Sequence, residues 1–382
     1  MNKPIYLDYA ATTPVDPRVA DKLMQYLTMD GVFANPASRS HMYGWQAEAA
    51  VEHARKQVAA LLNADTREIV WTSGATEANN LAIKGVAAAR KQKGRHIITS
   101  LAEHKAVIDC VEYLEGQGFD VTWLKPRVNG EIAVEDVKQA IRPDTILISL
   151  MHVNNETGAI TNVIEIAKLA KSEDIIFHID AAQSAGKLGL DTQLLHADLI
   201  SVCAHKIYGP KGVGALYVRR RDDFVLPAQI HGGGHERGMR SGTLPTHQIA
   251  AMGEAFEIAS VAQVEEQARI SSLKSMFMEK ISGLKGVRVN GQFGQGVSGI
   301  LNLSFLGLDG QLLLSALPGL AISSGSACTS ATMSPSHVLK SMGVDDVAAL
   351  SALRFSFGRY TTDEEVIKAA DMLINAVQKM TA

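Results

Sequence analysis

Short apolar runs rich in β-branched residues recur through the first two-thirds of the chain, each followed by a stretch with helical spacing. The runs are Glu68–Thr72, His96–Thr99, Val121–Leu124, Thr145–Leu150, Ile175–Ile179, Leu199–Val202 and Val213–Val218. Several are apolar almost throughout, which strands covered on both faces require. Between them Ala78, Leu81, Ala82, Gly85 and Ala89 fall on one helical face, as do Val163, Ile166, Ala167 and Ala170. Alternating β and α units predict an α/β fold with a mostly parallel sheet and helices on both sides. After about Gln263 the pattern changes. A helix over Val264–Ile281, strands at Val287–Val289, Ile300–Phe305 and Leu353–Phe357, and a closing helix over Asp363–Met380 predict a smaller α+β domain. Two domains suit a length of 382 residues.

Composition removes several function classes. A hydrophobic fraction of 46% with 20% charged residues is that of a globular chain and not a disordered one. No apolar run reaches the ~18 residues of a membrane span, and Met1–Asp8 lacks the apolar core of a signal peptide. A net charge of −3 offers no field for nucleic acid. Cys110, Cys203 and Cys328 are too few and too scattered for a disulfide framework, so the expected location is the cytoplasm. With 32 glycines and only 5% aromatics, tight loops around a small molecule are expected.

Five segments carry chemistry. Thr72–Glu77 ends a strand, turns through Gly74 and opens a helix, which suits a phosphate; Ser73 or Thr76 capping its own helix is the plainer alternative. Asp180 closes an apolar strand where open α/β sheets bind ligands, or else caps the next helix. Lys206 follows a buried strand and precedes a glycine turn; a lysine held beside apolar surface can form a Schiff base, although most lysines are simply exposed. Together these are the parts a pyridoxal phosphate enzyme needs. Ser323–Ala331 surrounds the single thiol of Cys328 with small residues, as either a travelling nucleophile or a linker with an inert cysteine. In His231–Thr243 the histidines at 231 and 235 invite a zinc reading. The intervening glycines favour an anion or subunit-contact loop, and no metal is expected.

Tyr6–Pro14, Thr72–Asn80, Glu103-His104, Val153–Gly158, Asp180 with Gln183, His205–Gly212, His231–Thr243 and Ser323–Ser330 together resemble the cysteine desulfurases, in particular the housekeeping type of iron–sulfur cluster assembly. The resemblance covers essentially the whole chain. It implies a PLP-dependent transferase fold of the aspartate-aminotransferase type. A large cofactor domain would span 15–262, and a small domain of 1–14 and 263–382 would carry the cysteine loop. It also implies a homodimer and the conversion of L-cysteine to L-alanine, with a persulfide left on Cys328 for sulfur acceptors such as an iron–sulfur scaffold or tRNA thiolation.

By the same resemblance Lys206 carries pyridoxal 5'-phosphate, Asp180 meets the ring nitrogen and His104 stacks on the ring. Gln183 and Asn155 lie near the phenolic oxygen and substrate. Ala75, Thr76 and His205 hold the phosphate, with Thr243 reaching it from the partner subunit. Arg354 anchors the substrate carboxylate, and Cys328 is the nucleophile, through whose persulfide an iron–sulfur cluster would be contacted. Three departures stand out. Cys203 takes the place of a phosphate-binding Ser, Ala204 that of a frequent Gly, and the chain ends about twenty residues short of its nearest likenesses. The shorter length also fits the sulfur donors of DNA phosphorothioation. A selenocysteine lyase and a plain aminotransferase share the fold, but the latter needs no thiol. A non-catalytic sulfur carrier would need neither Lys206, Asp180 nor His104.

Overall fold

The computed structural model describes residues 3–324 and 334–381. Its strands are β1 (Ile5–Tyr6), β2 (Ile69–Thr72), β3 (His96–Ser100), β4 (Asp120–Leu124), β5 (Thr145–Met151), β6 (Ile176–Asp180) and β7 (Leu199–Cys203). They continue with β8 (Gly214–Val218), β9 (Val287–Asn290), β10 (Ile300–Phe305), β11 (Leu320–Ala321), β12 (Ser323–Ser324) and β13 (Ala352–Ser356).

The main sheet has the order β2-β8-β7-β6-β5-β3-β4. All its neighbours are parallel except those of β8, which runs antiparallel to both β2 and β7. The link 204–213 between β7 and β8 is too short for the crossover that parallel neighbours need, so β8 must turn back. Successive strand residues face opposite sides, as the two-residue period demands. Val70, Ile97, Leu147, Ile176 and Leu199 join a core beneath the Ala75–Arg90 and Lys105–Glu115 helices. Trp71, Ile98, Ile148, Phe177 and Ile200 join a second core on the other face. A separate antiparallel sheet, β12-β13-β10-β9, packs under the closing helix Asp363–Thr381, and β1 pairs in parallel with β11. The N-terminal residues therefore pack with the C-terminal part of the chain.

Two local expectations change. The helix expected from Val264 begins at Thr246 and runs unbroken to Ile281. Its first half buries Ile249, Met252, Phe256 and Ala259 in the core of the main sheet, and its second half buries Ile270, Leu273 and Phe277 in the other. One helix serving two cores shows no single apolar stripe, so sequence periodicity missed its start. In the Ala75–Arg90 helix, Ala89 is exposed, and Ile83, Val86 and Ala87 complete the buried face. No helix among the described residues is long and apolar enough to cross a membrane.

Candidate active site

The C-terminal ends of β5, β6 and β7 lie side by side, with Met151 opposite Asp180 and Asp180 opposite Ser201. Asp180 is 6% exposed. Asn79 Nδ2 donates to its Oδ2 at 2.7 Å, and the Ala182 N–H to its Oδ1 at 2.9 Å. Turns rather than a helix follow Asp180, so its bond to the Ala182 N–H closes a local turn and caps no helix.

Gly74 lies at φ +153° between β2 and the Ala75–Arg90 helix, and a Cβ there would meet nothing within 4 Å. The backbone angle, not crowding, calls for glycine. No side chain caps this helix, so the alternative in which Ser73 or Thr76 does so is set aside. The first N–H groups point toward the cavity side with the positive end of the helix dipole. Beneath them, Glu77 accepts from the Ser73 N–H at 2.7 Å and from Arg240 Nε at 2.8 Å. These bonds tie the His231–Thr243 loop to the helix start.

Lys206 ends a short turn after β7 and donates to the carbonyls of Ala10 and, at 2.7 Å, Ala11. His104 Nδ1 accepts the Ala106 N–H at 3.1 Å, and the residue lines the cavity. Burial pulls the His104 imidazolium down against an upward pull from Asp180. Burial, Lys206 and Lys211 pull His205 down to about 4, so it is a neutral imidazole at pH 7. Gln183 bridges the Ala10 carbonyl and Lys187, and burial pushes the amine of the half-buried Lys187 down to about 7. Arg354 in β13 is 2% exposed and donates to Asp8 Oδ1 at 2.8 Å, the Asn155 carbonyl at 2.9 Å and Ser323 Oγ at 3.2 Å.

These groups converge. A cavity of about 590 Å3 is lined by Ala75, Thr76, His104, Asn155, Asp180, Gln183, Cys203, His205, Lys206 and Arg354. Its size suits a small-molecule site. A wider opening of about 1000 Å3 adjoins it and shares His104 and Asn155.

The aminotransferase class-V family model matches residues 5–368. The cysteine desulfurase IscS of Shewanella oneidensis is 58% identical over 380 residues, covering 100% of this chain and 94% of the relative. That of Vibrio vulnificus is 56% identical over the same length, again covering 100% and 94%. The chain belongs to the cysteine desulfurases. Among solved structures, a NifS-like protein superposes with a TM-score of 0.90 at 33% identity, covering 99% of each chain. A structure described as SspA in complex with cysteine has a TM-score of 0.83 at 39% identity, covering 94% of this chain and 99% of that one. DndA from Streptomyces lividans has a TM-score of 0.79 at 42% identity, covering 92% and 99%.

The cofactor of such a desulfurase is pyridoxal 5'-phosphate. The residues present fit it. The uncapped helix start offers N–H donors for a phosphate, and Asp180 is held as an acceptor for a ring nitrogen. Asn155 Oδ1 and Arg354 Nε are buried in the cavity wall without a hydrogen-bond partner, polar atoms that a polar ligand would satisfy.

One described site residue, Thr243, stands apart from the cavity. Cys328 lies outside the described residues. Thr243 is exposed and does not line the cavity of its own chain. Cys203 lies on the wall, 1% exposed, and burial pushes its thiol up to about 11, so it is a neutral thiol. His235 Nδ1 accepts the Gly242 N–H at 3.3 Å and so shapes its own loop. Among the described residues no cluster of three or more His, Cys, Asp or Glu is placed to hold a metal.

Sequence reading assigned no role to Asn79, Asp8, Glu156 or Lys187. Asn79 carried a signal, since it is a polar residue on the buried face of its helix. Asp8 and Glu156 meet their side-chain partners only through long-range contacts, while Lys187 meets Gln183 four residues away.

Proposed function

We propose that this chain removes sulfur from L-cysteine, giving L-alanine and a persulfide on Cys328 that is passed to sulfur acceptors. The observation that carries the reading is the meeting of Lys206, Asp180 and His104 on one cavity beside an uncapped helix start, in a chain 58% identical to a cysteine desulfurase. A structural neighbour described in complex with cysteine supports the substrate.

Lys206 is the attachment lysine, Asp180 holds the proton of the ring nitrogen, and His104 covers the ring. Ala75, Thr76, His205 and Cys203 face the phosphate, and Gln183 and Asn155 face the phenolic oxygen and substrate. When bound, the cofactor supplies a conjugated ring that takes up electrons as an amino acid loses its Cα proton. Lys206, freed by the substrate amine, removes that proton. Arg354 binds the substrate carboxylate while Asp8 and the Asn155 carbonyl keep its plane fixed. The thiolate of Cys328 attacks the substrate sulfur. An S–S bond forms as the C–S bond breaks, and the electron pair left on the β-carbon takes up a proton. The sum is L-cysteine plus thiol giving L-alanine plus persulfide, with no outside oxidant.

The large domain of 15–262 holds the cofactor, and the small domain of 1–14 and 263–382 carries the Cys328 loop. Thr243 completes the phosphate site of a second copy, which makes the homodimer the working unit. The acceptors are an iron–sulfur scaffold and the tRNA thiolation route.

The visible spectrum of purified protein with added pyridoxal phosphate tests the reading. Cys328→Ser should keep the cofactor band and its response to cysteine but release no sulfide. Lys206→Ala should lose both the covalent band and turnover. Full activity in Cys328→Ser, or a covalent band in Lys206→Ala, refutes the assignment.

A further inference from the structure

Gln183 is gripped at both ends of its side-chain amide. Lys187 Nζ donates to Oε1 at 2.8 Å, and Nε2 donates to the Ala10 carbonyl at 2.8 Å. The same carbonyl accepts from Lys206. A backbone carbonyl can only accept, and the Lys187 amine is the donor in its bond to Oε1. The two constraints act from opposite sides and select one orientation. Flipping the amide would set Oε1 against the Ala10 oxygen and the NH2 against the Lys187 amine, losing both bonds and creating a repulsive oxygen–oxygen contact. An unlocked glutamine has no such preference, since its oxygen and nitrogen ends are nearly the same size. Gln183 also lines the cavity, so its orientation decides whether the ligand meets a donor or an acceptor.

We propose that Lys187 is a positioning residue that locks the Gln183 amide with its N–H donors toward the phenolic oxygen of the cofactor. The inference rests on the reading of this cavity as the pyridoxal phosphate site. Lys187 itself touches neither cofactor nor substrate in this arrangement; it acts through Gln183. A donor on the phenolic oxygen draws off negative charge that otherwise holds the proton on the adjacent imine nitrogen. Loss of that donor therefore raises the pH midpoint of the bound cofactor's visible absorption.

The test is a pH titration of the visible band in holoenzyme variants, with a melting curve for each to show that it folds. Lys187→Met should raise the midpoint by about half to one pH unit, part of the full effect of one hydrogen bond to a charged oxygen. Lys187→Gln, which can face either amide orientation, should shift it in the same direction. Lys187→Arg keeps a donor-only cation and should restore the parent midpoint.

Removing a cation near Lys206 also raises the midpoint by charge alone, so the deciding experiment is a double-mutant cycle with Gln183→Ala. If Lys187 acts through Gln183, adding Lys187→Met to Gln183→Ala shifts the midpoint less than Lys187→Met does in the parent, the remainder being the effect of the lost charge. An equal shift with and without Gln183 overturns the proposal. So does an unchanged midpoint in Lys187→Met alone. Failure of the parent protein to take up pyridoxal phosphate would instead overturn the cofactor reading, so the two failures are distinguishable.

Discussion

Replacing Glu236 by Gln tests what holds the His231–Thr243 loop in place. Glu236 and Arg237 both have left-handed backbones, at φ +50° and +57°, a conformation that non-glycine residues keep only when their surroundings enforce it. A buried ion pair supplies that enforcement. Arg55 meets Glu236 in a bidentate contact of 2.7 and 2.9 Å, with the two residues 4% and 7% exposed. Glu236 Oε2 also accepts the Trp71 N–H at 2.9 Å, and Arg55 donates to the Ile69 carbonyl at 2.8 Å.

Breaking a buried pair from one side costs about 3–5 kcal/mol because the remaining charge stays buried. Here Arg55 keeps the Ile69 carbonyl and a second carboxylate, Glu52, at 3.0 Å, and Gln can still accept from Trp71. The loss should therefore be about 2–3 kcal/mol, at or below the lower edge of that range. At roughly 1.2 °C per kcal/mol for a chain of this size, Tm should fall by about 2–4 °C at saturating cofactor. Glu52→Gln, on the half-exposed partner, should change stability by no more than about 0.5 kcal/mol. The double variant Arg55→Met, Glu236→Leu leaves no orphaned charge and should be more stable than Glu236→Gln alone. Differential scanning calorimetry with matched urea titrations measures all four proteins. A Glu236→Gln melting point within 1 °C of the parent would refute the reasoning, because the ion pair would then not be holding the loop.

Two further outcomes follow from the cavity wall. Cys203→Ser exchanges a weak donor for a hydroxyl beside the proposed phosphate site, so pyridoxal phosphate should bind ~3- to 10-fold tighter; unchanged or weaker binding with a lower Tm would show that position 203 serves packing instead. Burial pushes the Glu156 carboxyl up to about 7 from its ordinary 4.5. Between those values the folded state holds a proton that the unfolded state has lost, so this residue's contribution to stability declines as pH rises from about 4.5 to 7. Glu156→Gln removes that decline, and the stability of the parent relative to the variant should fall by up to about 3 kcal/mol between pH 5 and 7.5. Urea midpoints at the two pH values measure the difference, and a pH-independent difference would contradict the assignment.

The α/β alternation, the strand end at Asp180, the turn after β7 that carries Lys206 and the glycine turn before Ala75 were all legible from local pattern. These are local properties: a two- or 3.6-residue period, a strand terminus and a backbone angle each leave a mark within a few residues. Its motif order also resembled one family along nearly the whole chain. Only the tertiary structure decided the rest. Strand β8 reverses because its link is short, and one helix from Thr246 to Ile281 serves two cores and so shows no single stripe. Asn79 reaches Asp180, and Asp8 reaches Arg354. Arg55 reaches Glu236 across 181 positions, and the Ala10 carbonyl joins Gln183 to Lys206. A polar side chain's partner is set by which distant segments the packed cores bring together, and one chain's local pattern carries no record of that distance. Several side chains that line the cavity were therefore legible in the sequence, while those that hold them in position became visible only once the chain had folded.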